Sequence, residues 1–144
     1  MEVEYRPMTI GDYDQVIVLW NAVEGMGMSD ADSRDGIGKF LRRNPDMSCV
    51  AERAGAIIGA ALCGHDGRRG FIYHLAVDRA YRRHGVGRGI IECCLTQLRA
   101  QGLGKCHIVV YADNREGKKF WRKTGWELRE DLNLMSKILL RPPP

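Results

Sequence analysis

Residues 75–89 read Leu75-Ala76-Val77-Asp78-Arg79-Ala80-Tyr81-Arg82-Arg83-His84-Gly85-Val86-Gly87-Arg88-Gly89, an apolar strand running through a basic, glycine-rich turn into a helix. Glycine at every second position lets backbone N–H groups approach an anion with no Cβ in the way. The start of a helix places unpaired donors and the positive end of its dipole at the same point. Together these features predict a phosphate cradle; the competing reading is a flexible loop of solvated arginines. Two other cradles do not fit. A dinucleotide fingerprint would need a third small residue where Ile90 stands, and a P-loop would need Gly-Lys-Ser/Thr.

Working outward, Val3 to Arg6 reads as a first strand, and Thr9-Ile10-Gly11-Asp12 resembles a capping box opening a helix with apolar Tyr13, Val16, Ile17 and Trp20. A loop over Gly25 to Asp32 leads to a second helix through Ile37, Phe40 and Leu41, which must stop near Asn44-Pro45. Residues 48–53, 56–63 and 71–77 are short β-prone runs separated by turn residues at Ala54-Gly55 and His65-Asp66-Gly67, hence an antiparallel meander. Helical spacing returns at Ile90, Ile91, Cys94, Leu95 and Leu98, with Gly102 as C-cap. Residues 106–111 read as a buried strand. Asp113 or Asn114 then caps a helix that stops at Gly125, and 126–128 and 134–140 read as two last strands. The class is mixed α/β (α+β), with helices covering a largely antiparallel sheet.

The 144 residues, 44% of them hydrophobic, suit one globular domain, with 141–144 (Arg-Pro-Pro-Pro) expected to form a flexible tail. No apolar run approaches the ~20 residues of a membrane span. The first residues lack the basic start and apolar stretch of a secretory signal, so the expected location is the cytoplasm. Five cysteines without a C-x-x-C pair, and four histidines without an H-x-x-x-H pair, argue against a disulfide framework and against a metal site. A net charge of +4 is too mild for a dedicated nucleic-acid binder, and Arg68-Arg69 and Arg82-Arg83 lack interleaved aromatics.

The chain resembles the GNAT superfamily of acyl-CoA-dependent N-acetyltransferases. Its signature Arg/Gln-x-x-Gly-x-Gly/Ala is matched by Arg82, Gly85 and Gly87. The resemblance extends to the Leu75-Ala76-Val77 strand, to Asn114, and to Phe120-Trp121 and Gly125-Trp126 where the family usually has Phe-Tyr and Gly-Phe. From Asp66-Gly67 onward the pattern is similar to small bacterial members of the YpeA type. The resemblance implies a GNAT-like fold over residues 1–144, a mostly antiparallel sheet of six or seven strands flanked by about four helices. It implies acetyl-CoA as co-substrate and no metal. The pyrophosphate would sit among Arg82, Arg83, His84, Gly85, Val86, Gly87, Arg88 and Gly89, on the amides from Arg83 to Gly89. The pantetheine would add like a strand along Leu75, Ala76 and Val77, whose amides are candidates to polarise the thioester carbonyl. Asn114, Phe120 and Trp121 would line it, although Asn114 reads equally as a plain N-cap.

Trp121 departs from the family pattern. Many members carry a tyrosine there that protonates the leaving thiolate, and an indole N–H is far too weak an acid to do so. Tyr73, His74 and Tyr111 are the other candidates for a base or a substrate contact. Strict strand alternation would put Tyr73 and His74 on opposite faces. Glu24, Asp30, Asp32 and Asp35 suit a cationic amine, but Asp30, Asp32 and Asp35 equally suit the cap and first turn of the second helix. The expected activity is direct attack of a primary amine on acetyl-CoA, the amine belonging to a small molecule or to a protein N-terminus or lysine. Neither nucleic acid nor membrane is expected as a partner, and a homodimer is compatible with this reading. A non-catalytic acyl-CoA-binding or regulatory module is the alternative.

Overall fold

The computed structural model describes residues 1–141 and separates into two compact units, Met1–Val109 and Val110–Pro144. Apart from Arg141, the expected tail lies outside the described residues. The first unit runs β1 (Glu4–Pro7), α1 (Tyr13–Asn21), α2 (Arg34–Arg43), β2 (Cys49–Arg53), β3 (Ala56–His65), β4 (Gly70–Val77), α3 (Val86–Ala100) and β5 (Cys106–His107). One helix, α4 (Arg115–Lys123), lies in the second.

Local chemistry sets most boundaries. The Asp12 carboxylate accepts the Thr9 N–H at 2.9 Å and fixes the short 3-10 turn that leads into α1. Ser33 Oγ caps α2 by accepting the Gly36 N–H at 3.1 Å. Asn44 ends that helix, and its buried side chain accepts the His65 N–H at 3.0 Å, tying the end of α2 to β3. Ala54 and Gly55 both have positive φ, 50° and 81°, as a tight two-residue hairpin between β2 and β3 requires.

The sheet order is β1-β2-β3-β4-β5, antiparallel except for the parallel β4–β5 pair. Period-2 alternation along β3 sends successive residues to opposite helical layers. Ala60 and Leu62 join Val16, Trp20, Ile37 and Val50 in the core under α1 and α2. Gly59 faces α3, where a Cβ would come within 2.7 Å of Ile90 Cδ1; a Cβ at Gly70 would come within 2.6 Å of Leu98 Cδ1. Small residues on the middle strands thus allow α3 to sit close to the sheet.

The late strands differ from expectation. Residues 106–111 form a ladder only at Cys106 and His107, and 126–128 and 134–140 form none. A strand exists through the neighbour that accepts its N–H groups, and apolar alternation alone does not supply one. Leu134, Met135, Ile138, Leu139 and Leu140 are correspondingly exposed. The sheet therefore has five strands among the described residues, not six or seven; the four α-helices and the mixed α/β class stand.

Candidate active site

Beyond β4, Asp78 Oδ1 accepts the Ala80 N–H at 2.9 Å and shapes a short 3-10 turn, Arg79–Tyr81. Two loop residues then lie in the left-handed region, Arg83 at φ 66° and Gly85 at φ 79°. The first amide donor in the α3 ladder is Gly89, bonded to Gly85 O at 3.0 Å. Among the described residues, the six amides from Arg83 through Arg88 have no acceptor, so an unbroken run of donors stands at the start of a fifteen-residue helix. Such a run is an anion nest.

Three of the expected cradle residues also have partners within the chain. Gly89 has spent its N–H on the helix, and a Cβ there would collide with the Tyr5 ring; it is small for packing against β1. Arg82 Nε donates to Val77 O at 3.1 Å, closing the loop onto the end of β4. His84 Nδ1 lies 2.9 Å from Arg82 O and 3.3 Å from Tyr81 O; with carbonyls as its partners it must be the protonated nitrogen. Val86 is buried and anchors the helix start.

β4 is open along its other edge. Its pairing with β5 covers Gly70 and Phe71 only, so from Ile72 to Val77 that edge has no neighbouring strand among the described residues. On the β3 side the register slips: Tyr73 pairs with Leu62 and Ala76 with Ala60, leaving His74 and Leu75 opposite the single residue Ala61. This is a β-bulge, and His74 within it takes φ 55°. A bulge bends its strand, and β5 pairs with β4 no further than Phe71.

The bulge also overturns the expected alternation. Tyr73 packs edge-on against Phe40 of α2, with ring centroids 6.1 Å apart, and stacks on Phe71. His74 lies against Trp20 of α1, with centroids 5.1 Å apart, and its Nε2 is 2.9 Å from Asp32 Oδ1. Both side chains thus face the α1 and α2 layer. Burial, with smaller contributions from Cys106 and Asp66, holds the Tyr73 phenol above its ordinary range. Leu75, Ala76 and Val77 follow directly on the open edge, although the Val77 carbonyl is taken by Arg82.

The four loop acids divide. Glu24, Asp30 and Asp35 are exposed. Asp32 is buried: its Oδ2 accepts the Ser29 N–H at 3.0 Å, and its backbone oxygen accepts the Tyr13 hydroxyl at 2.7 Å. Asp32 is not a free surface charge, and α2 is capped by Ser33. Near the end of β4 a cleft of about 410 Å³ lies between α1 and the loop, lined by Gln15, Val18, Ala22, Ile57, Arg79 and Arg82 among others. Among the described residues no three His, Cys, Asp or Glu side chains are grouped to hold a metal, and no helix is long and apolar enough to cross a membrane.

In the second unit Asn114 caps α4, its Oδ1 accepting the Gly117 N–H at 2.9 Å. Tyr111 is exposed. The helix ends in a Schellman motif: Gly125 at φ 98° donates to Arg122 O, and Trp126 N–H donates to Trp121 O, both at 3.0 Å. The Trp121 and Trp126 rings meet edge-on 5.1 Å apart, which is the apolar contact that motif favours.

A fourth strand open along one edge and running into a nest of free amides offers extended backbone and an anion site side by side. The model of the acetyltransferase (GNAT) family matches residues 16–126, and the chain belongs to that family. An acetyltransferase of Sodalis glossinidius is 30% identical over 138 residues, 96% of each chain. Among solved structures, Ard1 from Thermoplasma volcanium superposes with a TM-score of 0.79 at 22% identity, covering 90% of this chain and 85% of that one. The PaiA N-acetyltransferase from Thermoplasma acidophilum, solved with coenzyme A, gives 0.78 at 16% identity over 90% and 92%. The chain is thus an acetyl-CoA-dependent N-acetyltransferase of the GNAT fold.

Proposed function

We propose that the chain transfers acetyl from acetyl-CoA to a primary amine by direct attack, without a covalent enzyme intermediate. The observation that carries this reading is the open edge of β4 running into six free amides: extended backbone for the pantetheine, then an anion nest for the pyrophosphate. The cleft beside α1, lined by apolar Val18, Ala22 and Ile57 as well as Arg79 and Arg82, suits the same mixed ligand. A backbone amide at Leu75 or Ala76 would polarise the thioester carbonyl.

The thiols support direct attack. Burial pushes Cys49 up and raises Cys106 to about 12; Cys94 is raised by its hydrogen bond with Cys63 and by burial. These three remain protonated at neutral pH and are poor nucleophiles. Glu24, Asp30 and Asp35 are the charges left to draw a cationic amine. The site serves a single GNAT domain spanning residues 1–144.

The test is thiol release from acetyl-CoA in the presence of spermidine, glucosamine 6-phosphate, kanamycin and a lysine-containing peptide, with the acetylated amine identified by mass spectrometry. Turnover of one of them is expected. Tight coenzyme A binding with no amine acetylated would favour the non-catalytic module instead.

A further inference from the structure

His74 is a non-glycine residue in the left-handed region, at the one bulge in the strand beside which the acyl group is expected to lie. Glycine would adopt φ 55° without penalty, whereas a residue with a side chain is strained there. The imidazole is nevertheless gripped from two sides. Trp20, wholly buried, forms its floor, and Asp32, brought from the loop before α2, binds Nε2 at 2.9 Å. Asp32 is itself held by Ser29 and Tyr13. About a sixth of the His74 side chain is accessible, 17% against 7% for Asp32.

The two ring nitrogens are therefore unequal. Nε2 faces a carboxylate, which accepts only, so the neutral ring carries its proton there. Nδ1 has no partner among the described residues. It is also not a buried orphan, since the indole N–H of Trp20 is the one buried side-chain polar atom without a partner. A lone pair open to solvent, on a ring clamped by a carboxylate, has the geometry of a general base with its orienting acid.

We infer that His74 Nδ1 is the proton acceptor for the incoming amine and that Asp32 is its positioning residue. This rests on the amine-acetylating activity proposed above. As the amine nitrogen bonds to the acetyl carbon, one N–H proton passes to Nδ1. The C–S bond breaks with its electron pair on sulfur, and the thiolate takes a proton from solvent. The imidazolium returns its proton to solvent, giving the acetamide and free coenzyme A. The elements packed around the ring also carry Tyr13, Asp14, Asp30, Arg34, Asp35, Lys39, Arg42, Arg43 and Tyr73, and among the described residues only Asp32 bonds the imidazole.

The experiment has two arms. Nitrogen-15 NMR of the wild-type protein, with the signal assigned through His74→Gln, reads the tautomer without any substrate; Nε2–H is expected for the neutral ring. Kinetics on the four-amine panel with Asp32→Asn should show kcat reduced by at least about 100-fold, because an amide can hold the ring in the opposite tautomer, with KM for acetyl-CoA within about twofold. His74→Gln should lower kcat at least as far, with KM for acetyl-CoA again within about twofold. An Nδ1–H tautomer in the wild type overturns the inference, as does Asp32→Asn with wild-type kcat. Absence of turnover by the wild type on every amine removes the acetyltransferase reading itself, and the catalytic role of the pair with it.

Discussion

Gly89 and Tyr5 occupy one space: the Cβ that any other residue would place at 89 falls within the Tyr5 ring, so a side chain there in the first turn of α3 requires the Tyr5 ring to move. The third glycine of the phosphate loop is thus a packing residue. Gly89→Ala should lower stability by about 1–2 kcal/mol, overpacking outweighing the gain in helix propensity. Affinity for coenzyme A should be unchanged in the folded protein, because the Gly89 amide is already bonded to Gly85. Urea unfolding and calorimetric titration on the same variant separate the two. A tenfold loss of coenzyme A affinity at full stability would return Gly89 to the cradle.

Gly85 is glycine for the opposite reason. A Cβ there meets nothing within 4 Å, and only its φ of 79° restricts the choice. Gly85→Asn, which tolerates that region, should fold with a loss of under about 1 kcal/mol, and Gly85→Val should lose more. Gly85→Glu should weaken coenzyme A binding at least about tenfold by placing a carboxylate among the free amides. Equal affinity in Gly85→Glu and wild type would sink the anion-nest assignment.

Trp121 is held by Trp126 in the C-terminal motif of α4, so its replacement should act on packing first. Trp121→Tyr should leave kcat unchanged or raise it by supplying a phenol, and Trp121→Phe should keep most activity. Trp121→Ala should lower thermal stability through the lost aromatic contact. The check is kcat/KM against pH for all three beside melting curves. An ionisation that disappears in Trp121→Phe would show that the indole position governs proton transfer.

Acid stability should depend on Asp12. Burial works against its charge, but two Arg6 N–H donors at 2.9 Å and the Thr9 N–H hold the carboxyl below its ordinary value. A depressed folded pKa means stability that is fully present above the unfolded value, near 4, and is lost as pH falls through the folded one. Asp12→Asn should therefore be less stable than wild type at neutral pH, by about 1–3 kcal/mol, and should show a flatter loss of stability below pH 4. Chemical unfolding at a series of pH values measures both; parallel acid limbs would contradict the assignment.

Neutralising Glu24, Asp30 and Asp35 together, with Asp32 left intact, should raise KM for a cationic amine severalfold at low salt and leave affinity for acetyl-CoA unchanged. Steady-state kinetics at two ionic strengths would show it. An unchanged KM would leave these acids as solvated loop charges.

How much of this was legible beforehand depends on the range of the interaction. The capping sequence before α1, the Ala54-Gly55 hairpin, the stop at Asn44 and the Gly125 terminus are set within a few residues, and each lies where the sequence places it. The glycine-rich loop was readable for the same reason: free amides follow from helix geometry, while the left-handed Arg83 beside Gly85 carried no signal in the sequence. The strands expected at 126–128 and 134–140 failed because pairing needs a neighbour that local alternation does not provide. Asp32 was weighed only as a cap or a loop charge, since its histidine partner stands 42 residues away.

The sequence alone therefore determined the class of fold, the family and the glycine-rich turn whose amides stand free, all written in contiguous residues. The tertiary structure decided which members of that loop are free and which are braces, and where the two faces of β4 change over. A single bulge at His74 reverses the alternation from which side-chain direction is read. It arises from the register of β4 against β3, and register is a property of two strands together.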